Sequence, residues 1–515
     1  MLCLTAPEGR AAPRVARAAN TALAAAPSYA RHVPERTLLY ALVQAHYPDF
    51  IARLEAEDRP LPEYVREEFE TYLRCGVLEH GFLRVVCEHC RAERLVAFSC
   101  KKRGFCPSCG ARRMAESARH LVEEVFGPRP VRQWVLSFPY PLRFLFASKP
   151  EAISPVLGIV HRVIAGWLAD QAGIDRASAQ CGAVTLIQRF GSALNLNVHF
   201  HMLWLDGVYV EATELPRHEL RLHRARAPTT AQLTQLAATI AHRVCRHLTR
   251  KGWLEGEGES AFLADSAAGD DSMDGLRMGS ITYRIATGRD AGCKVVTLQT
   301  LPGDAGSLEG EAGKVGGFSL HAGVAAEAHE SHKLEKLCRY ITRPAISEKR
   351  LSIALQGRVR YQLKTPWRNG TTHVEWDAVD FIAKLAALVP PPRAHLTRFH
   401  GVFAPNANLR AQLTPSGRGK RPAGDAVPVD VSAHDEPRSP EEKRRSMSWA
   451  QRLKRVFSID ITTCAHCGGA VRIVASIEEP TAIRAIRAIL AHFEKHGALE
   501  QAHYRPAARA PPPAA

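Results

Sequence analysis

Two histidines, His199 and His201, flank a single phenylalanine in an apolar stretch at residues 195–204. The composition of this stretch predicts a buried β-strand. Because side chains alternate between the two faces of a strand, both imidazoles would project from the same face, which suits two ligands of one divalent metal ion. The alternative is a pair of buried histidines satisfied by hydrogen bonds, although two polar rings in an apolar strand need a reason to be buried.

Four cysteines form two Cys-x-x-Cys pairs, Cys87 with Cys90 and Cys106 with Cys109, and fifteen residues separate the pairs. This spacing is typical of a zinc ribbon, in which each pair gives two thiolates to one tetrahedral ion. The chain contains 13 cysteines and no sign of secretion, which favours metal binding over disulfides. We therefore predict one structural zinc ion held by these four residues.

Further potential metal ligands lie near these pairs and near the C-terminus. Cys75, His80 and Cys100 either contribute to a second site or pack in the interior. Cys464 and Cys467 form a third Cys-x-x-Cys pair with no second pair beside it. This pair is either half of a zinc site completed from elsewhere in the chain, or a vestige.

The chain is strongly basic, with a formal net charge of +16 and an isoelectric point near 9.4. Such a charge favours a polyanionic partner, of which nucleic acid is the commonest. Basic residues cluster around the second cysteine pair, where a folded surface could hold phosphates. These residues are Lys101, Lys102, Arg103, Arg112 and Arg113.

Tyr340 has basic residues close to it in sequence and lies at residues 330–343, where the apolar pattern predicts an amphipathic helix. The apolar stripe consists of Leu334, Leu337, Cys338 and Ile341, and Pro344 ends the helix. Tyr340 lies off the centre of that stripe, among Lys336, Arg339 and Arg343. This setting would suit attack on a phosphate; the alternative is an ordinary surface tyrosine.

The elements that position these residues predict an α+β fold. Two amphipathic helices, at 36–56 and 62–79, open the chain. A strand at 131–138, a helix through 156–168, a strand at 181–190 and the histidine strand then follow in β-α-β-β order, which indicates an antiparallel sheet, or palm, backed by helices. A helix at 229–250, strands at 351–355, 359–364 and 373–376, and a helix at 377–389 complete the central region.

Composition also suggests the domain organisation. An N-terminus with little order (1–35), a helical and zinc-binding domain (36–125) and a central domain (126–410) precede a basic linker (411–447), a small C-terminal Cys-x-x-Cys module (448–500) and a tail (501–515). Residues 256–316 predict an insertion with a weak hairpin at 280–286 and 294–298. No uncharged apolar run of about 18 residues predicts a transmembrane helix, and the N-terminus lacks the features of a secretory signal.

The order of several motifs carries a family resemblance. Cys87-x-x-Cys90 precedes Phe98-Ser99-Cys100-Lys101 and Gly104-Phe105-Cys106-Pro107-Ser108-Cys109, and then come Gln188-Arg189-Phe190-Gly191, His199-Phe200-His201 and Leu337-Cys338-Arg339-Tyr340. The chain resembles the insertion-sequence-91 family of transposases from about residue 36 to 410. That family has an N-terminal zinc-binding domain and a rolling-circle nuclease domain of the His-hydrophobe-His type.

The resemblance implies a role for each site residue. His199 and His201 would bind Mg²⁺ or Mn²⁺, and Tyr340 would attack a phosphate of single-stranded DNA to form a covalent 5′-phosphotyrosine. Such sites usually have a third protein ligand, for which Gln188, Glu335 and His321 are candidates. The implied partners are single-stranded DNA at element ends, target DNA and the host replication machinery, in the bacterial cytoplasm near the nucleoid.

The chain departs from the two-tyrosine members of the family at one position. Those members have a second tyrosine four residues before the first, where this chain has Lys336. The departure favours the single-tyrosine branch, with Lys336 on the same helix face as Tyr340. The alternatives are a replication initiator with the same chemistry and a zinc-ribbon DNA-binding protein that has lost cleavage.

Overall fold

The computed structural model describes residues 33–212, 219–256, 262–264, 271–300, 312–417, 463–464, 467–479 and 481–485. Most of the predicted N-terminal region, the linker from residue 418 onward, most of the predicted C-terminal module and the tail lie outside the described residues. The described chain is a mixture of helices and antiparallel sheets, which confirms the predicted α+β class. The domain boundaries stay predictions.

The N-terminal part combines helices with a small hairpin. Its elements are α1 (Leu38–Ala56), α2 (Glu63–Arg74), β1 (Phe82–Cys87), β2 (Glu93–Ala97) and α3 (Pro107–Arg119), which continues as a π-helical segment (His120–Phe126). Thr37 caps α1 by accepting a hydrogen bond from the Tyr40 amide at 3.3 Å. The two predicted opening helices are therefore confirmed.

A six-stranded antiparallel sheet forms the centre of the fold, in the order β11-β12-β3-β5-β4-β16. The strands are β3 (Val131–Ser137), β4 (Gly182–Phe190), β5 (Leu196–Leu205), β11 (Ala312–Val315), β12 (Phe318–Ala326) and β16 (Thr397–Gly401). The histidine strand, β5, lies between β3 and β4 in the interior of this sheet.

Helices cover both faces of the central sheet. On one face lie α4 (Tyr140–Ser148), α5 (Ile153–Ala172) and α6 (Thr230–Arg250), which pack on Phe200, Met202 and Trp204 of β5. On the other face lie α8 (Ser331–Ile341) and the π-helical segment, which pack on Leu203 and Leu205. Burial on both faces explains why seven of the ten residues of β5 are apolar.

The remaining elements are further helices and the strands of four smaller sheets. They are β6 (Gly207–Ala212), β7 (Glu219–Arg224), β8 (Leu254–Glu255), β9 (Phe262–Leu263), α7 (Asp274–Ile281), β10 (Val296–Gln299), β13 (Leu351–Ile353), β14 (Val359–Gln362), β15 (Thr371–Trp376), α9 (Ala378–Leu388), α10 (Arg410–Leu413) and β17 (Val471–Ile477). A four-stranded sheet has the order β10-β15-β14-β13, and β17 pairs with β1 in a sheet of order β17-β1-β2.

The predicted weak hairpin at residues 280–286 and 294–298 is confirmed in part. Residues 280 and 281 end helix α7, whose Leu276 and Ile281 side chains are buried, so tertiary packing selects the helix there. Beyond the helix, Arg284 and Lys294 form an antiparallel bridge, and the amides of Ile285 and Val295 donate to the main-chain oxygens of Cys293 and Tyr283. The residues that follow form β10, which is an edge strand of the four-stranded sheet.

One helical stretch, Pro150–Ala172, is long and apolar enough to span a membrane by length and composition alone. It includes α5, and 56% of its most apolar window is buried inside the fold. Val156, Val160 and Ile164 belong to the core that covers the central sheet. This burial is the pattern of a core helix.

Candidate active site and metal centres

The two histidines of β5 share one face of the central sheet, as the strand period predicts. His199 lies opposite Ser137 and Gln188, and His201 lies opposite Val135 and Leu186. Both imidazoles are buried, and their Nε2 atoms lie 3.1 Å apart. For metal–nitrogen bonds of about 2.1 Å, neighbouring ligands of one ion lie about 3.0 to 3.4 Å apart, so this separation fits a shared cation.

Hydrogen bonds to the opposite ring nitrogens orient both imidazoles. His199 Nδ1 donates to the main-chain oxygen of Asn197 at 2.8 Å, and since a carbonyl only accepts, Nδ1 carries the proton and Nε2 has a free lone pair. His201 Nδ1 lies 2.8 Å from the side-chain amide of Gln133. A 180° flip of the Gln133 amide group would place its oxygen against His201 Nδ1. Nδ1 would then carry the proton, and Nε2 of His201 would have a free lone pair as well.

The surroundings keep both imidazoles uncharged. Burial, together with the charges of Arg343 and Arg143, lowers the pKa of His199 to about 4, although the Asn197 hydrogen bond acts in the opposite direction. Burial lowers the pKa of His201 to about 2, with contributions from His199 and Arg343. Neutral imidazoles are the form that binds metal, so the pair is ready to ligate a cation near neutral pH.

Of the three candidates for a third ligand, the structure favours Gln188. Its side-chain nitrogen donates to the main-chain oxygen of Ile341 at 2.9 Å, while its side-chain oxygen is buried without a partner. Glu335 forms a salt bridge with Arg339 at 2.6 Å. His321 lies opposite Val135, two strands from His201, or about 10 Å away.

Carboxylates, thiols and further histidines give no alternative among the described residues. The groups of three or more such side chains that could hold a metal ion contain only cysteines. Gln188 is directly opposite His199 in the sheet and supplies an oxygen, which Mg²⁺ and Mn²⁺ prefer. The donor set of two neutral imidazoles and one amide oxygen therefore fits a divalent cation.

Tyr340 lies beside the histidine pair. The apolar stripe of α8 packs on the sheet, which leaves Tyr340 at the margin of the helix with 40% of its surface exposed. Its ring is perpendicular to that of His201, with 6.3 Å between the ring centroids. The guanidinium carbon of Arg343 lies 4.2 Å, and Lys364 Nζ 4.3 Å, from the Tyr340 ring centroid. The phenol thus stands next to the candidate metal site in a cationic setting.

The predicted DNA-contacting cations fall into two groups. Lys336 is exposed one turn before Tyr340, Arg339 pairs with Glu335, and Arg343 donates to the main-chain oxygen of Tyr340 at 2.6 Å. The second group lies around α3 and includes an exposed Lys101. There, Lys102 forms a salt bridge with Glu67, and Arg112 donates a hydrogen bond to the Ser99 hydroxyl. Arg103 donates to the main-chain oxygen of Ala394, and Arg113 donates to the main-chain oxygens of Lys101 and Lys102.

The first thiol cluster lies in the N-terminal core. Cys75, Cys100, Cys106 and Cys109 have their sulfurs within 4.8 Å of one another, with individual separations of 3.5 to 3.7 Å. Four sulfurs about 2.3 Å from one tetrahedral zinc ion would lie about 3.8 Å apart. The aromatic ring of Phe105 packs against Phe69 and Tyr72 beside the cluster.

The second thiol cluster joins distant parts of the chain. Cys87 and Cys90 lie with Cys464 and Cys467, again within 4.8 Å of one another. The sulfurs of Cys87 and Cys467 are 3.5 Å apart, and those of Cys90 and Cys464 are 3.6 Å apart. The amides of Cys90 and Gly469 donate to the sulfurs of Cys87 and Cys467. The hydrogen bond from the Cys90 amide helps to lower the pKa of Cys87 to about 6, which favours its thiolate form.

The prediction that Cys87, Cys90, Cys106 and Cys109 hold one ion is therefore wrong. Each pair instead takes part in a separate cluster, because Cys75 and Cys100 complete the one and Cys464 and Cys467 complete the other. His80 ends a short 3₁₀ helix and belongs to neither cluster. For Cys75, Cys100 and the C-terminal pair, the structure supports the metal-site alternative over packing or a vestige.

Sequence reasoning did not single out Gln133, Arg143 or Lys364. Gln133 is the buried polar residue of β3, so the sequence contained a signal for it. Arg143 lies in α4, and Lys364 lies just beyond β14; both contribute charge near the site. No local motif marks these two positions, because only tertiary packing brings them there.

Comparison with known families gives two matches. Residues 182–410 match a family described as "Putative transposase", and residues 42–138 match the transposase zinc-binding domain of the IS91 type. The first match contains the histidine pair and Tyr340, and the second contains all the N-terminal cysteines of both clusters. Neither the curated proteins nor the solved structures include a match to this chain.

Proposed function

We propose that this chain, which belongs to the insertion-sequence-91 family of transposases, nicks and rejoins single-stranded DNA at the ends of a mobile element. The reaction would pass through a covalent 5′-phosphotyrosine in a rolling-circle-type mechanism. The observation that carries the proposal is the position of Tyr340 beside two buried, neutral imidazoles whose Nε2 atoms lie 3.1 Å apart.

His199, His201 and Gln188 are the residues that would hold Mg²⁺ or Mn²⁺. When bound, the cation would polarise the scissile phosphate and stabilise the negative charge that develops on its oxygens. The hydrogen bonds that His199 and His201 form with Asn197 and Gln133 fix the orientation of the two rings, so that little reorganisation accompanies binding. The zinc clusters would have a structural role.

Tyr340 would be the nucleophile. Its phenolic oxygen would form a bond to phosphorus as the bond from phosphorus to the 3′-oxygen breaks, which leaves a 5′-phosphotyrosine and a DNA 3′-hydroxyl. The phenol gives its proton to solvent and the departing 3′-oxygen takes one up. Arg343 and Lys364 lie against the Tyr340 ring, where their charges would stabilise a phenolate and attract the phosphate.

Rejoining would reverse the same step. A 3′-hydroxyl attacks the phosphotyrosine, which restores the phosphodiester and frees Tyr340. The residue one helical turn before Tyr340 is Lys336, so α8 presents one tyrosine and the chain would carry one strand end at a time. The 3′-hydroxyl left after nicking would prime synthesis by the host replication machinery, in the cytoplasm near the nucleoid.

Strand cleavage tests this proposal. A 5′-labelled single-stranded oligonucleotide with the element-end sequence is incubated with the full-length protein and 5 mM MnCl₂ or with EDTA. We expect Mn²⁺-dependent cleavage by the wild type, and a loss of about 100-fold or more for His201→Ala with DNA binding retained. Cleavage at the wild-type rate by His201→Ala, or in EDTA, would refute the proposed role of the histidine pair.

A further inference from the structure

A cavity of about 290 Å³ lies between the zinc-binding region and the nuclease sheet. Its walls come from α3, from the end of β4 and from the residues that follow α8. Gly110 allows α3 to approach the end of α8, because a Cβ at this position would lie 2.6 Å from the Pro344 side chain. The volume is at the lower end for small-ligand sites, so it suits one small group or one unit of a longer chain.

The cavity is lined by cations and by no carboxylate. Among its lining residues are five with permanent positive charge and no aspartate or glutamate. The five are Lys102, Arg103, Arg113, Arg189 and Arg343. They come from three regions of the chain that are far apart in sequence, so the fold concentrates the charge at this place.

Most of these cations have no anionic partner. Arg103 donates to the main-chain oxygen of Ala394 at 3.0 Å, and Arg113 donates to those of Lys101 and Lys102. Glu68 is close enough to interact electrostatically with Arg113, but its carboxylate accepts the Gly104 amide, and the two residues form no salt bridge. Of the five, only Lys102 forms a salt bridge within the described residues, with Glu67.

Arg189 is the most unusual of the five. Only 7% of its surface is exposed, and its Nε has no hydrogen-bond partner. The pairing of β16 with β4 ends at Leu186, and the register of β4 against β5 shifts between Gln188 and Phe190. Arg189 therefore lies where the regular pairing of β4 is interrupted. The ionisable side chains that act electrostatically on Arg189 are the cation Arg277 and the neutral Tyr64, so the described residues give the buried guanidinium no counter-charge. Such burial is costly, which favours an anion at this site.

The cavity shares two residues with the candidate active site. Arg343 lines the cavity, and its guanidinium carbon lies 4.2 Å from the Tyr340 ring centroid and 5.3 Å from that of Phe190. Gln188 also lines it and donates to the main chain at the end of α8. An anion in the cavity would therefore be a close neighbour of the phosphate that Tyr340 attacks.

We infer that this cavity binds one nucleotide of the DNA strand directly adjacent to the scissile phosphate. Arg103, Arg113 and Arg189 would bind its phosphate, and the base would contact apolar walls that include Leu186, Leu388 and Pro390. This inference rests on the proposed function for the identity of the DNA. It also gives the zinc-binding region a defined role, because α3 supplies half of a nucleotide site beside the nick.

Equilibrium binding tests the inference without any cleavage step. The probe is a fluorescein-labelled single-stranded 30-mer with the element-end sequence, measured by anisotropy over a range of NaCl concentrations, with the zinc-loaded full-length protein carrying Tyr340→Phe. The test variants are Arg103→Gln/Arg113→Gln and the uncharged cavity-filling Thr397→Trp. The matched control is Arg246→Gln/Arg250→Gln, two exposed arginines on α6, on the other side of the sheet.

We expect the arginine pair to lower affinity at least tenfold and to reduce the slope of log K against log[NaCl] by about 1.4, because two phosphate contacts are lost. Thr397→Trp should lower affinity at least fivefold with little change in slope, and the control should stay within twofold of its parent. Cavity variants that bind like the control would overturn the inference and leave the proposed function standing. A parent protein that binds no single-stranded DNA would count against both.

A competition arm separates a DNA strand from a free anion. At constant ionic strength, we expect millimolar dTMP to displace the 30-mer from the parent protein better than thymidine or inorganic phosphate does, and to have no such effect on Thr397→Trp. Displacement by micromolar dTMP would identify a free-nucleotide site instead, and equal displacement by inorganic phosphate would identify a site for the anion alone. Either result would overturn the assignment to DNA.

Discussion

The sulfurs of Cys87 and Cys467 lie 3.5 Å apart, although 380 positions separate the two residues in the chain. Beside them, β17 pairs with β1 in antiparallel register from Phe82 opposite Ile477 to Cys87 opposite Val471. The C-terminal segment thus completes both a metal centre and a sheet of the N-terminal region. A zinc ion in this cluster would hold the two ends of the described chain together.

The number of zinc ions tests the second cluster. We expect two zinc ions per wild-type chain, and one per chain for Cys467→Ser, because three thiols and a hydroxyl hold Zn²⁺ poorly. Cys293→Ser, which replaces an exposed cysteine outside both clusters, should retain two. Plasma mass spectrometry of protein dialysed against a weak chelator measures the ratio. A ratio of two in Cys467→Ser would contradict the assignment.

Thermal stability distinguishes the two clusters. The sulfurs of the first cluster are packed in the N-terminal core with Phe105 and Tyr72, whereas Cys467 in the second is exposed. We expect Cys109→Ser to lower the midpoint of the first unfolding transition by 10 °C or more, and Cys467→Ser to lower it by less than half as much, since structural zinc contributes several kcal/mol to folding. Differential scanning calorimetry measures both, and equal shifts would contradict this order.

Mn²⁺ affinity tests the third ligand. We expect Gln188→Ala to weaken Mn²⁺ binding at least tenfold, because the unpartnered side-chain oxygen opposite His199 is lost. Glu335→Gln should leave the affinity unchanged, since Glu335 is engaged by Arg339. Electron paramagnetic resonance of free Mn²⁺ during titration gives both constants. A tenfold loss in Glu335→Gln, with none in Gln188→Ala, would reverse the assignment.

Acid stability should depend on a second histidine pair on the other side of the sheet. His161 of α5 stacks on Trp204 and on His400 of β16, with centroid distances of 4.7 and 4.9 Å. Burial lowers the pKa of each histidine to about 4. Each is therefore neutral in the folded chain, while the unfolded chain takes up protons below pH 6.5, so stability is complete above pH 6.5 and falls as the pH drops toward 4.

The size of this effect is about 2 kcal/mol of unfolding free energy for each of the two histidines at pH 5. We expect His161→Phe/His400→Phe to show a smaller drop in thermal midpoint between pH 7 and pH 5 than the wild type does. The other histidines contribute equally to both proteins and cancel in the comparison. Identical pH dependence of the two midpoints, followed by circular dichroism, would contradict the prediction.

Local pattern was sufficient for the elements that carry the candidate site. The strand with His199 and His201, the neighbouring strand that ends at Phe190 and the helix with Tyr340 all have the bounds that periodicity predicts to within a few residues. These elements are long, strongly patterned and buried, which is where such reasoning works best. The α+β class followed from their order.

The partners of the cysteines could not be predicted in the same way. A spacing rule assigns Cys87 and Cys106 to one ion because they are near in sequence, but β1 and α3 place them in different clusters. Cys87 lies beside Cys467, which is 380 residues away, and Cys106 lies beside Cys75, which is 31 residues away. Likewise, Lys364 reaches Tyr340 only through tertiary packing. Ligand sets completed from distant segments leave no local signal.

The covalent intermediate is the most direct test of the account. The full-length protein is incubated with labelled single-stranded element-end DNA and Mn²⁺, denatured in detergent, and any peptide–DNA adduct is located by mass spectrometry. Tyr140, an exposed tyrosine beside Arg143, is the matched control. We expect the adduct on Tyr340 in the wild type and in Tyr140→Phe, and none in Tyr340→Phe. An adduct that persists in Tyr340→Phe, or that maps to Tyr140, would contradict the central claim.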